Sequence, residues 1–315
     1  MTIAAAAKSG TQWSIEADGH RATVVEVGGV LRDYAAGDWQ VLDGFGPDEM
    51  SPASAGQILA PWPNRIRDGH YTFEGAAYQL AITEPARNNA IHGLTNWVRW
   101  HLVEQSPGTV TLGYDLPAQV GYPWSLALRT RWTVSGDGLR CDQLVTNTAD
   151  TDAPWGYSVH PYVRLAGMAV DDVLLRVPGR LRVLADNRLL PIGAVKVAGG
   201  EYDFTEPRRI GGAVLDTTFG DLDRDADGGS SVTIAAPDGD ASVTVWGDHN
   251  FTWWQVFTGD TLHGERRRRS VAIEPMTCPP DAFRSGRDLI VLAAGDTWSA
   301  SWGIRQHAPH TGQTS

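Results

Sequence analysis

Acids, imidazoles and a guanidinium lie in four short stretches punctuated by Pro and Gly, the setting in which loops on a rigid sheet carry chemistry. In 271-VAIEPMTCPPDAF-283 a short apolar run delivers Glu274, and Pro275 follows at once. Alternation puts Val271 and Ile273 on one face of the run and Glu274 on the other. Pro275 removes a backbone donor and holds Glu274 extended, which fixes the direction of the carboxylate. A structural ion pair would also place an acid there, so both roles are open at this point. In 154-PWGYSVHPYVRL-165, Pro161 pushes His160 toward extended geometry, and alternation lines up Ser158, His160 and Tyr162 as a site wall. Ser158 and His160 are too far apart on one strand for a nucleophile pair, and no GxSxG elbow exists.

The other two stretches supply binding groups. In 60-APWPNRIRDGHYTFEG-75, Arg65 offers a fixed fork of donors for hydroxyl or carboxylate oxygens, or for a surface salt bridge. In 88-NNAIHGLTNW-97, His92 follows Ile91 and precedes Gly93, so it can point inward from a strand end, as a ligand or as a hydrogen-bonded structural residue. His92, His160 and Glu274 show no HExxH, HxH or HxxE-type spacing, which leaves zinc with weak support.

The elements that must position these groups are strands. Leu126, Leu128, Trp132 and Val134 share one face of 125-SLALRTRWTV-134, with Arg129 and Arg131 on the other; 109-TVTLGYDL-116 alternates in the same way. Similar runs occupy 21–27, 181–185, 231–236, 242–246 and 288–295, separated by turn clusters such as GDG, PDGD and DADGG. No stretch of 12 residues carries a helical apolar stripe. The pattern predicts an all-β chain, a large antiparallel β-sandwich over 1–315 as a single domain, with a loose tail at about 306–315.

Composition narrows the partners. At 315 residues and 42% hydrophobic content the chain can bury a large core, and its net charge of −11 argues against nucleic acid. The run Arg266 to Arg269 follows a loop-like TLHGE and reads as a solvated hairpin tip. Two cysteines, Cys141 and Cys278, form no disulfide framework. The N-terminal stretch holds no apolar run long enough for a signal peptide or a membrane span, so no membrane partner and a cytoplasmic location are expected. Thirteen tryptophans favour stacking on sugar rings as well as core packing, and Trp62, Trp124 and Trp155 stand out beside Pro or Gly.

The motifs NRI with GHYTFEG, NNAIHG, GYPW, SVHPY, LDTTF and AIEPMTCPPDAF, in that order, resemble the aldose 1-epimerase (galactose mutarotase) family from about Gly28 to Trp302. Within it, APWPNRIRDG and EPMTCPPDAF resemble a bacterial subgroup that includes sulfoquinovose mutarotases. The resemblance implies a galactose mutarotase-like supersandwich and a cofactor-free interconversion of the α and β anomers of an aldose. It implies Glu274 as general base, His160 as general acid, His92 near the ring oxygen, and Arg65 and Asp216 on sugar hydroxyls. Trp62, from the tryptophans beside Pro or Gly, and Tyr162, from the face it shares with His160, are expected as further sugar contacts. A carboxylate near His160 is expected to favour the charged imidazolium. Arg164 stands where many members have Asn, so Arg164 or Arg87 could read a charged substituent on an anionic sugar. The expected partner is a small-molecule sugar, for a monomer or homodimer. The alternatives are a carbohydrate-binding protein without turnover and a glycoside hydrolase using Glu274 with Asp216.

Overall fold

The computed structural model describes residues 7–165 and 167–307. Alternation in the sequence becomes sheet almost everywhere. Leu126–Ser135 buries Leu126, Leu128, Trp132 and Val134 and turns Arg129 and Arg131 away from the core. Thr130 lies on the buried face as well, and its hydroxyl donates to Gln143 Oε1 at 2.6 Å, which meets the requirement that buried polar groups be paired. Thr109–Leu116 is a strand from end to end, whereas the 288–295 run supplies only Ile290–Leu292. Among the described residues the one α-helix is the single turn Ala282–Ser285.

Two large antiparallel sheets form the sandwich. The first has nine strands, in the order His101–Ser106, Thr109–Leu116, Leu126–Ser135, Gly138–Asn147, Thr297–His307, Ser242–Gly247, Ser230–Ala235, Leu174–Arg176 and Arg208–Arg209. The second runs Pro191–Lys196, Gly179–Ala185, Asp216–Leu222, Trp253–Phe257, Val271–Met276, Ser158–Val159 and Ile58–Leu59, with Tyr162–Val163 as an eighth strand also paired to Val271–Met276. Trp132 and Trp302 from the first sheet share one apolar core with Trp254, Phe219 and Ile273 from the second. Burial of such side chains, roughly 1.5–3 kcal/mol each relative to exposure, is the main force holding the layers together.

Two expectations from sequence change here. Arg266 to Arg269 are not a solvated tip but a clamp. Arg268 donates to Asp260 Oδ1 at 2.7 Å, Asp171 Oδ1 at 2.8 Å and the carbonyls of Gly211 and Ala213, while Arg269 reaches buried Asp43. A row of positive charge in an acidic chain finds carboxylates in its own loop and on two distant segments, which composition alone does not reveal. At the other end, Gln306 and His307 complete the strand Thr297–His307, so only 308–315 of the expected loose tail remain, and these lie outside the described residues.

Candidate active site

Strand register builds the floor of a cleft of about 410 Å³. Thr218, Gln255 and Glu274 stand opposite one another across three neighbouring strands; Asp216, Phe257, Ala272 and Tyr162 form the next row. The two-residue period puts both rows on one face of the sheet. Thr218 Oγ1 donates to Gln255 Oε1 at 2.5 Å, and Gln255 Nε2 donates to Asp216 Oδ1 at 2.6 Å, so the carboxamide is held at both ends.

His160 comes from a break in that sheet. Ser158–Val159 and Tyr162–Val163 both pair with Val271–Met276, at Met276 and at Ala272, and His160-Pro161 bridges the gap between them. The His160 N–H donates to Gln57 O at 3.1 Å and its carbonyl accepts from Gly56 N at 2.8 Å, drawing the backbone out of the ladder. Ile273 N donates to Pro161 O and Thr277 N to Tyr157 O. Alternation places the missing donor of Pro275 between these two bonds, on the side where the ladder is already interrupted. A proline in a central strand is thereby tolerated, and it holds Glu274 beside the break.

The imidazole and the carboxylate meet there. His160 Nε2 lies 3.3 Å from Glu274 Oε1, with side-chain exposures of 8% and 3%. The Tyr162 ring stacks on His160 at 4.9 Å between centroids, and its hydroxyl donates to Ala53 O at 3.2 Å. His92 meets His160 edge to face at 5.6 Å. It holds a left-handed backbone, φ 63°, and is followed by Gly93 at φ 76°, where a Cβ would sit 2.0 Å from Ala60 O. Only glycine lets the chain pass that point, which explains the His-Gly pair.

Arg65 lines the cleft and is also paired. Its Nε and Nη2 donate to the two oxygens of Glu84 at 2.8 and 2.9 Å, so the ion-pair reading of this arginine is met in the wall of the cleft. Burial works to raise Glu84, but hydrogen bonds from Arg65 and Asn89 outweigh it and keep the carboxyl below its usual range. Arg87 donates to the same carboxylate at 3.0 Å and also faces the cleft. Arg164 does not: it lies on another concavity, its Nε donating to Gln40 O at 3.4 Å.

Burial dominates the electrostatics. It pushes Glu274 well above its ordinary pKa of 4.5, helped by the charge of Asp216 and opposed by Arg65. It pushes His160 down to about 4, with Arg65 adding to the effect, and holds His92 well below the usual histidine value, helped by the neighbouring His160. Asp216, open to the cleft but ringed by protein, is raised by burial against Arg65 and Gln255. Burial therefore works against the expected imidazolium: it favours the neutral form of His160 and raises the carboxyl of Glu274 beside it. Glu274 Oε2, His160 Nδ1 and His92 Nδ1 are buried and have no hydrogen-bond partner among the described residues. Each such atom costs about 1–3 kcal/mol until a partner arrives, so the arrangement suits a ligand rich in hydroxyls.

The cleft thus brings together Glu274, His160, His92, Arg65, Asp216 and Tyr162, and leaves one expected contact out. Trp62 is 2% exposed and packs edge-on against Phe283 at 5.7 Å, in the core. Trp124 and Trp155 are buried likewise. Proximity to Pro and Gly marked these residues, but those turns fold back over the sandwich and cover the rings. Sequence reading missed Gln255, Phe257 and Leu189, which also line the cleft. A glutamine inside the apolar run 253-WWQVF-257 was the available signal for the first.

Comparison with known proteins agrees with the fold and the motifs. A family model described as aldose 1-epimerase matches residues 11–305. The chain is 34% identical over 288 residues to the uncharacterized protein YihR of Escherichia coli K12, covering 91% of this chain and 90% of that one. It is 26% identical over 169 residues to the galactose mutarotase of Sus scrofa, covering 50% of this chain and 46% of that one. Among solved structures, the GalM/aldose epimerase homologue from Caenorhabditis elegans matches with a TM-score of 0.83 at 18% identity, over 95% of this chain and 99% of that one, a likeness of fold alone. With a family model spanning nearly its whole length and a relative alike over nine-tenths of both chains, the protein belongs to the aldose 1-epimerase family of sugar isomerases.

Proposed function

We propose that this isomerase is a mutarotase that interconverts the α and β anomers of a free aldose by acid/base ring opening and reclosure. The observation that carries this is the buried 3.3 Å contact between His160 and Glu274 on the floor of a hydroxyl-seeking cleft. Mutarotation needs a proton taken from the O1 hydroxyl and one given to the ring oxygen O5. Glu274 serves as base and His160 as acid. The C1–O5 bond then breaks, rotation about C1–C2 turns the aldehyde, and reclosure returns both protons. A pair that shares one proton can start this cycle without changing its total charge. Passing the proton from Glu274 to His160 gives the carboxylate and imidazolium that the reaction uses, and reclosure restores the pair. Arg65, Asp216 and Gln255 hold the remaining hydroxyls, and His92 stands beside the acid.

Each positioned proton-transfer group contributes roughly 10²- to 10⁴-fold, so Glu274→Gln and His160→Asn should each lower kcat by about that factor. Polarimetry or NMR exchange on freshly dissolved α-anomers measures it, and rates near wild type in both variants would refute the assignment. Arg87 supports a finer reading in which the aldose carries an anionic substituent. Its guanidinium faces the cleft, and its one carboxylate partner among the described residues, Glu84, is already shared with Arg65. On that reading Arg87→Ala lowers kcat/KM for sulfonated or phosphorylated aldoses and spares neutral ones; equal losses on both would remove it.

A further inference from the structure

The cleft does not end at its own wall. A cavity of about 20 Å³ adjoins it and shares Arg65, Leu189, Asp216 and Gln255 with it. That cavity in turn shares Val183, Pro191 and Pro280 with a surface groove of about 260 Å³ that reaches Ser285 and Arg287. None of His92, His160, Tyr162 or Glu274 lines the small cavity, so it opens from the end of the cleft away from the acid/base pair. A sugar whose O1 meets Glu274 therefore points its other end toward it. At about 20 Å³ the passage has room for roughly one water and none for a sugar ring.

Leu189 stands between the two spaces, half-buried and lining both. Its backbone is left-handed, φ 58°, a conformation that a branched apolar residue adopts only where its surroundings impose it. Those surroundings are specific. The Asp186 carboxylate accepts from the N–H groups of Arg188 and Leu190, at 2.8 and 3.0 Å, and Leu189 N donates to Asp186 O. Arg188 then ties this loop to the facing wall: its Nε donates to Arg87 O at 2.8 Å and its Nη2 to Asp68 Oδ1 and Asn88 O at 2.7 and 2.8 Å. The loop is stapled shut with an apolar side chain across the passage.

We infer that Leu189 is a specificity-determining gate that limits the sugar to a single ring, and that the groove behind it is a second subsite able to hold the next ring of a chain. This rests on the mutarotase reading given above. The chemistry it separates is free monosaccharides from reducing disaccharides extended at the end far from the anomeric carbon. Opening the gate is a one-residue change.

The test compares wild type, Leu189→Ala and Leu189→Gly on free glucose and galactose and on maltose, cellobiose and lactose, by NMR exchange between anomers. Wild type should strongly prefer monosaccharides. Leu189→Gly should raise the disaccharide-to-monosaccharide ratio of kcat/KM by about 10-fold or more, the scale of a pocket-size effect. Because glycine relaxes the left-handed backbone, its Tm should hold or rise while specificity shifts, which a merely structural leucine would not do. A wild type that turns over both classes equally, or folded variants with an unchanged ratio, overturns the gate. A wild type inert on these sugars and on sulfonated and phosphorylated aldoses alike overturns the mutarotase reading instead. The gate is then judged on binding: an unchanged disaccharide-to-monosaccharide Kd ratio in Leu189→Gly refutes it, and a shift of the same size supports it.

Discussion

On the proposed roles, the buried pair of His160 and Glu274 determines how activity should follow pH. Burial holds His160 down to about 4 and raises Glu274 well above 4.5, so between the two folded values the pair carries one proton. Below about pH 4 the imidazole takes a second proton while the carboxyl keeps its own, and no base remains. At high pH the single proton is lost and no acid remains. The expected kcat/KM profile is a plateau through neutrality with an acid limb near 4, and a limb at the ordinary histidine value of about 6.5 would contradict it. The same burial has a cost in stability. The folded-state pKa of Glu274 lies above its unfolded value, so the stabilising effect of its proton is complete below about pH 4.5 and is lost as pH rises through the folded value. Glu274→Gln removes that titration. Its Tm should exceed that of wild type at neutral pH by roughly 2–4 °C, with the gap closing on acidification. Thermal unfolding across pH reads this directly; a lower Tm for the variant at every pH would count against it.

At the scale of elements, legibility in the sequence followed the length of the pattern. Thr109–Leu116 and Leu126–Ser135 are long alternating runs and were readable, because each buries one whole face. Ser158–Val159 and Ile58–Leu59 are two residues each, too short to show a period, yet they complete the sheet around His160. Glu274, His160, His92, Arg65 and Asp216 were marked by motif and family order. Gln255 and Leu189 were not, because their importance comes from cross-strand register and from a loop folding back, which are long-range facts. The clamp formed by Arg268 was misread for a related reason: Asp260 lies in its own connection, but Asp171 and the carbonyls of Gly211 and Ala213 come from distant segments. Thr261 and Leu262, just after Asp260, line the cleft. Arg268→Ala should therefore loosen that wall, raise KM several-fold with kcat nearly unchanged, and cost about 1–3 kcal/mol of stability. Steady-state kinetics with thermal melts separates these outcomes, and an equal fall in kcat would show that the loop serves the chemistry itself.

For the whole molecule, the groups of the cleft divide by how deeply they are anchored. Glu274, Gln255 and Asp216 sit on inner strands of the eight-stranded sheet, over a core shared with the nine-stranded one. Arg87, Leu189, Thr261 and Leu262 sit on connections at its margin. The register that lines up Thr218, Gln255 and Glu274 cannot slip by one residue without turning the row to the opposite face and exposing the apolar one. Catalytic competence is consequently a property of the global fold. In a denaturant titration, kcat should stay constant up to the main unfolding transition and fall with it, while KM drifts upward earlier as the marginal loops open locally. An unfolded eight-stranded sheet beside an intact nine-stranded one should never accumulate, because the two share one apolar core.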